Sequence, residues 1–195
     1  MFKQALCAAG CGNDAISGSY LCGRHCADPE KETRRIATHI SDRATIRDLN
    51  AGSLRFTNMD FSSKYFYGCN FTESFFNNCT FKYAFMRMVF FDAATFVNCN
   101  FSNSDIRFSS FGACTFENCR FNDSELEHLN FDGASISLTS FDHSNLYSSR
   151  FNMAKLTNTS IDDCNVKNVY FINIEQADLT FKSSNTKDAF FELDN

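Results

Sequence analysis

Residues 91–111 read FDAATFVNCNFSNSDIRFSSF, and a large apolar residue returns in this stretch at every fifth position. The same spacing continues without a break from Phe56 to Phe171, and most of these central residues are phenylalanine. A period of five matches neither the 3.6-residue turn of a helix nor the two-residue alternation of a strand. The chain is therefore built from a short structural repeat, and only stacked copies of such a repeat can bury its apolar residues.

A second position follows the same spacing. Two residues before nearly every central residue lies a small side chain, such as Ser74, Ala84 or Ala94. Cysteine at this position acts as a small buried apolar residue. The cysteines in this register are Cys69, Cys79, Cys99, Cys114, Cys119 and Cys164. The remaining positions are mostly Asn, Ser, Thr and Asp, which favour turns and tolerate a left-handed backbone.

Stretches such as Cys69-Asn70-Phe71, Cys99-Asn100-Phe101, Ser104-Asp105-Ile106 and Ala177-Asp178-Leu179 place a small residue and then Asn or Asp before a large apolar residue. This pattern resembles the pentapeptide repeat family. The resemblance implies an all-β solenoid, namely a right-handed quadrilateral β-helix with four pentapeptides in each coil. Central and small residues would then point inward, and the other residues outward.

The distribution of phenylalanine supports a coil of four pentapeptides independently of the resemblance, because central residues four repeats apart would stack on one face. One such column reads Phe71, Phe91, Phe111, Phe131, Phe151, Phe171. Another reads Phe66, Met86, Ile106, Leu126, Leu146, Val166. About six coils at about 4.8 Å each predict a rod about 29 Å long.

The sequence divides into four segments. Residues 1–27 form a zinc-knuckle-like segment, 28–53 a capping helix and lead-in, 54–173 the β-helix, and 174–195 a C-terminal cap or dimerisation tail. The tail carries Phe181, Phe190, Phe191 and Leu193 among polar residues. In several members of the family this end dimerises, so a homodimer through the tail is an expectation.

A helix is predicted from Pro29 to about Ser41. Asp28 is a favourable N-cap and proline suits the first helical position. Ile36 and Ile40 form a narrow apolar stripe. We expect this helix to cover the open end of the β-helix, because an exposed coil edge invites aggregation.

The amino-terminal segment reads Cys7-x3-Cys11-x10-Cys22-x2-His25-Cys26. Cysteine and histidine at such short spacings indicate a tetrahedral zinc site, whose metal supplies the folding energy that a small loop lacks. The favoured ligands are Cys7, Cys11, Cys22 and His25, with Cys26 as the alternative fourth ligand. Four protein ligands leave no open position for catalysis, so the zinc would be structural.

Composition and motifs exclude several classes of function. A net charge of −5 argues against direct binding of nucleic acid, and no run is long and apolar enough to predict a membrane span. Ten cysteines without a recognisable secretion signal favour a reducing compartment, so we expect a cytoplasmic protein. No glycine-rich phosphate loop or nucleophile elbow is present, and we predict no enzymatic activity and no catalytic residues.

One outer surface combines residue types that are enriched at protein interfaces. The candidate partner-binding residues are Tyr67, Arg87, Met88, Arg107, Phe108 and Tyr147. Stacking of these side chains along the rod, without any partner, is the alternative interpretation. The first hypothesis is therefore a non-enzymatic protein-binding module, an adaptor or assembly subunit whose partner is unknown.

A second hypothesis comes from the resemblance, since some pentapeptide repeat proteins mimic the width and charge of duplex DNA. Such members bind DNA gyrase and topoisomerase IV and protect them from quinolones or toxins. Within residues 92–142, eight acidic residues stand against Arg107 and Arg120. The acids are Asp92, Asp105, Glu117, Asp123, Glu125, Glu127, Asp132 and Asp142. The alternative function is thus a DNA mimic acting on gyrase, a topoisomerase or another DNA-binding enzyme.

Overall fold

The five-residue spacing produces short parallel strands, and each of the three-residue strands has one buried side chain between two outward ones. A computed structural model describes residues 5–191. The strands are β1 (Thr45–Arg47), β2 (Arg55–Thr57), β3 (Tyr65–Tyr67), β4 (Phe75–Asn77), β5 (Phe85–Arg87), β6 (Thr95–Val97), β7 (Asp105–Arg107), β8 (Thr115–Glu117), β9 (Glu125–Glu127), β10 (Ser135–Ser137), β11 (Lys155–Ser160) and β12 (Glu175–Thr180). The helix α1 spans Pro29–Ser41, and a short 3-10 turn spans Thr186–Asp188.

The strands form two parallel sheets on different faces of the coil. One has the order β1-β3-β5-β7-β9, and the other has the order β12-β11-β10-β8-β6-β4-β2. Pairing always joins residues four repeats apart, as in Phe66 with Met86 and Phe76 with Phe96. The predicted β-helix with four pentapeptides per coil is therefore confirmed.

The core is a set of stacked phenylalanine columns. Phe101 lies parallel to Phe81 and Phe121, with centroid distances of 4.5 Å and 4.6 Å. It meets Phe96 of the neighbouring column edge to face, at 5.4 Å and 71°. Each such pair adds about 0.5–1.5 kcal/mol beyond simple burial. The columns therefore fix the vertical alignment of successive coils.

A left-handed residue forms a corner of the coil two positions after each central residue. Asparagine suits this conformation, and Asn98 and Asn118 adopt φ of 54° and 51°. Met88 and Phe108 have the same conformation, with φ of 53° at each residue. The corner residues therefore point outward, whatever their chemistry.

The cysteines of the repeats are buried and hydrogen-bonded. The thiol of Cys114 donates to the carbonyl of Phe91 at 2.9 Å, and that of Cys164 donates to the carbonyl of Phe141 at 3.1 Å. Burial raises the pKa of Cys69 to about 11 and that of Cys164 to about 12. These thiols pack as small core residues.

Helix α1 begins and packs as its sequence predicts. The carboxylate of Asp28 accepts a hydrogen bond from the backbone N–H of Lys31 at 2.9 Å. Ile36 and Ile40 are buried and belong to the same apolar core as the first coil. This helix, within residues 5–191, is too short and too polar to cross a bilayer.

The coils extend beyond the uninterrupted apolar spacing at both ends, giving about seven turns instead of six. Ile46 lies at the central position of β1, so a coil begins before Phe56. At the other end β12 pairs with β11 in the same register, although Gln176 takes the central position. Tyr170 then bridges to Phe190. Leu193 lies outside the described residues.

Candidate functional site

The amino-terminal segment folds into two tight turns that bring its cysteines together. Gly10 and Gly12 adopt φ of 71° and 80°, which leads the chain back after Cys7. The N–H of Cys7 donates to the carbonyl of Asn13 at 2.8 Å. In the second turn the N–H of His25 donates to the carbonyl of Cys22 at 3.0 Å.

The side chains of Cys7, Cys11, Cys22 and His25 converge, and their ligand atoms all lie within 4.8 Å of one another. The Sγ atoms of Cys11 and Cys22 are 3.8 Å apart. His25 Nδ1 lies 3.3 Å from Cys22 Sγ and 3.7 Å from Cys7 Sγ. A zinc tetrahedron with bonds of about 2.3 Å to sulfur and 2.0 Å to nitrogen has edges of about 3.8 Å and 3.5 Å. The donor set therefore fits such an ion.

Cys26, the alternative ligand, lies outside this cluster. Its thiol donates to the carbonyl of Gly23 at 3.4 Å, and burial raises its pKa. The pKa of Cys7, by contrast, is lowered to about 6, chiefly because the N–H of Cys22 donates to its sulfur. The geometry brings together the favoured four residues and leaves the fifth aside.

The cysteine-rich segment is fastened to the first coil by buried polar contacts. Asn50 is only 3% exposed, and its side-chain amide donates to the carbonyls of Ala15 at 2.8 Å and Asp14 at 3.2 Å. Its own N–H donates to the hydroxyl of Ser17 at 2.8 Å. A β-carbon at Gly23 would collide with the carbonyl oxygen of Gly52, so the two backbones lie in direct contact. Folding of the cysteine-rich segment is thus linked to the end of the rod.

The candidate partner-binding residues lie on one surface, which we call the ladder face. It comprises the outward residues of β1, β3, β5, β7 and β9 together with the corner residue after each strand. These corner residues are Asp48, Gly68, Met88, Phe108 and His128. All six sequence-predicted residues lie on this surface or on its continuation at Tyr147.

The arginines of the ladder face are engaged within the rod. Arg87 and Arg107 both bind Asp105, at 2.9 Å and 2.8 Å, and Arg107 also binds Glu127 at 2.7 Å. Burial acts to raise the pKa of Asp105, but the hydrogen bonds from the two arginines hold it below its usual value. The guanidinium of Arg87 also lies over the ring of Phe85, at 3.6 Å. Both arginines are therefore paired with carboxylates of the rod itself.

Two corner residues of the ladder face are large, apolar and exposed. Met88 is 56% exposed and Phe108 is 58% exposed, one coil apart in the same column. The ring of Phe108 stacks on His128 at 4.8 Å, and His128 meets the edge of Tyr147 at 5.6 Å. Met88, Phe108 and His128 therefore form one outer column, which Tyr147 contacts from the neighbouring column.

Sequence reasoning missed several exposed apolar side chains. They are Tyr65, Tyr83, Leu138 and Met153. The signal that identifies three of them is a large apolar residue two positions after a central residue, where the left-handed corner points into solvent. Leu138 and Met153 lie on other corners of the coil and offer a natural comparison with Met88 and Phe108.

The acids of residues 92–142 are distributed around the rod, and several have partners within it. Asp132 binds Arg150 at 3.3 Å. Asp142 accepts hydrogen bonds from the hydroxyls of Ser140 at 2.7 Å and Ser160 at 3.0 Å. Glu117, Asp123 and Glu125 are the more exposed members.

Comparison with known proteins agrees with the repeat. The model of the family described as pentapeptide repeats matches eight copies, over residues 99–137 and 124–163. No curated protein matches the chain by sequence.

Among solved structures, a trypsin-treated variant of QnrB1, described as a plasmid-mediated fluoroquinolone resistance protein, is 22% identical; the match covers 75% of this chain and 70% of that chain, with a TM-score of 0.42. HetL, involved in heterocyst differentiation regulation in Nostoc sp. strain PCC 7120, is 10% identical over 83% of this chain and 96% of its own, with a TM-score of 0.37. Rfr23 from Cyanothece 51142 is 9% identical. The match covers 76% of this chain and 99% of that chain, with a TM-score of 0.36.

At TM-scores this low, the likeness of the chain to the family is carried by the five-residue repeat of its sequence. The matched segment lies within a register that continues through the coils on both sides of it. Residues 99–163, a third of the chain, match the pentapeptide repeat family, and the chain as a whole folds as the β-helix that this repeat predicts.

Proposed function

We propose that the protein is a non-enzymatic protein-binding rod, an adaptor or assembly subunit that contacts its partner through the ladder face. The observation that carries this proposal is the exposure of Met88 and Phe108 at left-handed corners. A bulky side chain costs about 1–2 kcal/mol in that conformation, and asparagine much less. Met88 and Phe108 lie one coil apart in the same column, so a partner that covers this column would bury both side chains and offset that cost.

The test replaces both residues by asparagine, which the corner conformation accepts. We expect Met88→Asn with Phe108→Asn to keep the fold while it removes the apolar surface, together with the stacking of Phe108 on His128. Leu138→Asn with Met153→Asn is the matched control, because both residues are exposed corner residues off the ladder face. Affinity capture from the source cell should recover a partner with wild type and the control but not with the first variant. Recovery by all three proteins would exclude the ladder face as the contact.

A DNA mimic remains the second candidate function, and the excess of acids in residues 92–142 favours it. Its test uses purified DNA gyrase in a supercoiling assay at low and high salt. A variant with Glu117→Gln, Asp123→Asn and Glu125→Gln removes three exposed acids without breaking the pair between Arg107 and Glu127. Salt-sensitive modulation of supercoiling by wild type alone would support mimicry, because exposed charges are screened by salt. No effect of either protein would exclude gyrase as the target.

For the amino-terminal segment we propose a structural zinc ion held by Cys7, Cys11, Cys22 and His25. The interatomic distances and the lowered pKa of Cys7 support this ligand set. Metal analysis of protein purified under reducing conditions should find one zinc per chain. Cys11→Ser should lose the metal, whereas Cys26→Ser should keep it. Loss of zinc in Cys26→Ser alone would show that Cys26 is a ligand in place of one of the proposed four.

Two further proposals concern assembly and location. Phe191 stacks on Phe171 in the last coil and Phe181 meets Phe171 edge to face, and a homodimer through this end would cover them. The free thiols of the repeats suit a reducing compartment such as the cytoplasm. Sedimentation of Phe181→Ser tests the first proposal, and localisation of a tagged chain tests the second.

A further inference from the structure

The three cysteines of the proposed metal site differ in how firmly the fold holds them. Cys7 and Cys22 are each only 4% exposed, whereas Cys11 is exposed. The N–H of Cys22 donates to Cys7 Sγ at 3.4 Å, and the carbonyl of Cys22 accepts the N–H groups of His25 and Cys26, both at 3.0 Å. The fold therefore fixes Cys22 and leaves the sulfur of Cys11 within reach of small solutes.

Cys11 lies at the tip of a turn that has open space around it. It stands between Gly10 and Gly12, and a β-carbon at either glycine would meet no atom within 4 Å outside the adjacent residues. Within residues 5–191, neither the N–H nor the carbonyl of Cys11 takes part in a backbone hydrogen bond. The bond from the N–H of Cys7 to the carbonyl of Asn13 closes the base of this turn. A shift of Cys11 would thus break few contacts.

Cys11 and Cys22 form the sulfur pair that a disulfide would join. Their Sγ atoms are 3.8 Å apart. A disulfide bond is about 2.05 Å long, so the two sulfurs would need to approach each other by about 1.8 Å. Because glycine adopts many backbone conformations, Gly10 and Gly12 allow this shift on the side of Cys11 while Cys22 stays in place.

We propose that the cysteine-rich segment is a redox-sensitive switch, in which an oxidant joins Cys11 to Cys22 and the segment releases its zinc. The inference rests on the proposed metal site, because zinc is what the reduced segment holds. Joining these two sulfurs removes two of the four ligands and leaves only Cys7 and His25. A structural zinc ion is held by four protein ligands, so two are too few to retain it.

The oxidant is a small disulfide such as oxidised glutathione. The sulfur of Cys11 attacks one sulfur of the oxidant, whose disulfide bond breaks and releases one thiolate. The sulfur of Cys22 then attacks Cys11 in the mixed disulfide, and the second thiolate leaves. One disulfide bond forms in the protein and one breaks in the oxidant, while two electrons pass from the two cysteines to the oxidant. Both cysteines are thiolates as metal ligands, so no proton has to be removed.

The switch leaves the attachment to the rod in place. Asn50 contacts the carbonyls of Asp14 and Ala15 and the hydroxyl of Ser17. All three contacts lie within residues 11–22, the stretch that the new disulfide would close, so a covalent link replaces the metal around the same part of the chain. We therefore expect oxidation to release zinc without unfolding the first coil, and circular dichroism should be the same before and after it.

Oxidation of the zinc-loaded full-length protein tests the switch. Protein purified under reducing conditions is treated with oxidised glutathione, and released zinc is followed with a chromogenic zinc indicator. About one zinc per chain should appear at the same rate as a cross-link between Cys11 and Cys22, which mass spectrometry of a non-reducing digest identifies. Dithiothreitol with added zinc should reverse both changes. Zinc release without this cross-link, or with a cross-link between other cysteines, would overturn the inference.

Two variants separate the steps. Cys26→Ser is the matched control and should release zinc and form the cross-link as wild type does, because Cys26 lies outside the cluster. Cys22→Ser removes the second sulfur, so glutathione should stay trapped on Cys11 as a mixed disulfide. Glutathione trapped on Cys7 instead would overturn the order of attack. The wild-type experiment decides the formation of the cross-link whether or not this variant keeps its fold.

The outcomes separate this inference from the proposed metal site. Protein that carries no zinc when purified under reducing conditions would overturn the site and the switch together. Zinc that is present but stays bound throughout treatment with oxidised glutathione would overturn the switch and leave the site standing.

Discussion

Asn98, Asn118 and Asn158 occupy corners of the coil with φ of 54°, 51° and 48°. Their short polar side chains tolerate this conformation, which crowds the β-carbon of most other residues. Leu138 adopts the same conformation at φ of 50° while being 57% exposed. A leucine at such a position has neither a conformational nor a burial advantage.

We therefore predict that Leu138→Asn stabilises the protein, by about 1 kcal/mol. The gain comes from relief of the left-handed backbone, with little apolar burial to lose. Urea denaturation of the two proteins measures it, and an unchanged slope would show that only stability has changed. A lower free energy of unfolding in the variant would mean that Leu138 makes a contact that its exposure does not suggest.

His143 provides a second prediction at this scale. Its Nδ1 lies 3.0 Å from a carboxylate oxygen of Asp163, and this hydrogen bond raises the pKa of the imidazole above 6.5. A raised folded-state pKa means that the contribution to stability is present below the unfolded value and is lost as pH rises through the folded value. NMR titration should give a pKa above 6.5 for His143 and a lower one after Asp163→Asn. Equal values in both proteins would mean that the pair does not form in solution.

The inward or outward direction of each side chain could be predicted from the five-residue spacing, because every central residue from Phe56 to Phe171 is buried. The ion pairs of Arg87 and Arg107 with Asp105 could not be predicted in this way. They depend on which rotamers bring both guanidinium groups to Asp105 in the column beside them. Sequence spacing gives the column of a residue but not the direction of a long side chain within it.

At the scale of elements, helix α1 could be predicted from residues within and just before it. Asp28 and Pro29 set the start of α1, and Ile36 with Ile40 set its buried stripe, as the structure bears out. The β12 strand was missed because Gln176 breaks the apolar spacing, while its backbone still pairs with β11. A strand in the last coil has core on only one side, so its central residue is free to be polar.

The cysteine-rich segment and the repeats should differ in thiol chemistry. After removal of metal by a chelator, we expect iodoacetamide to modify cysteines of the segment, since Cys11 is exposed and the pKa of Cys7 is about 6. The repeat cysteines should stay unmodified, because they are buried and burial raises the pKa of Cys69 to about 11.

Peptide mass spectrometry distinguishes the two groups. In urea all ten cysteines should react, which serves as the control. Modification of Cys69 or Cys164 in the folded protein would show that the coils open under native conditions.

At the scale of the whole molecule, stability is shared among neighbouring coils, as in other solenoids. Phe101 stands in the middle of a column, between Phe81 and Phe121. Phe101→Ala should cost about 3–5 kcal/mol, because the cavity interrupts the column and the edge contacts across it.

Phe101→Leu is the matched variant, since leucine occupies the central position at Leu126 and Leu146. It should cost clearly less than the alanine variant in the same denaturation experiment. Equal losses would indicate that ring stacking, and not filled volume, determines the stability of the column.

Pairing of residues four repeats apart has a consequence for how such a chain can change its length. Insertion or deletion of one whole coil lengthens or shortens the rod and leaves every later side chain on its original face. Insertion of a single pentapeptide would instead turn everything after it by a quarter turn, so that Arg107 would no longer lie in line with Arg87. Evolution of this rod is thereby confined to steps of whole coils wherever one face must keep its pattern along the full length.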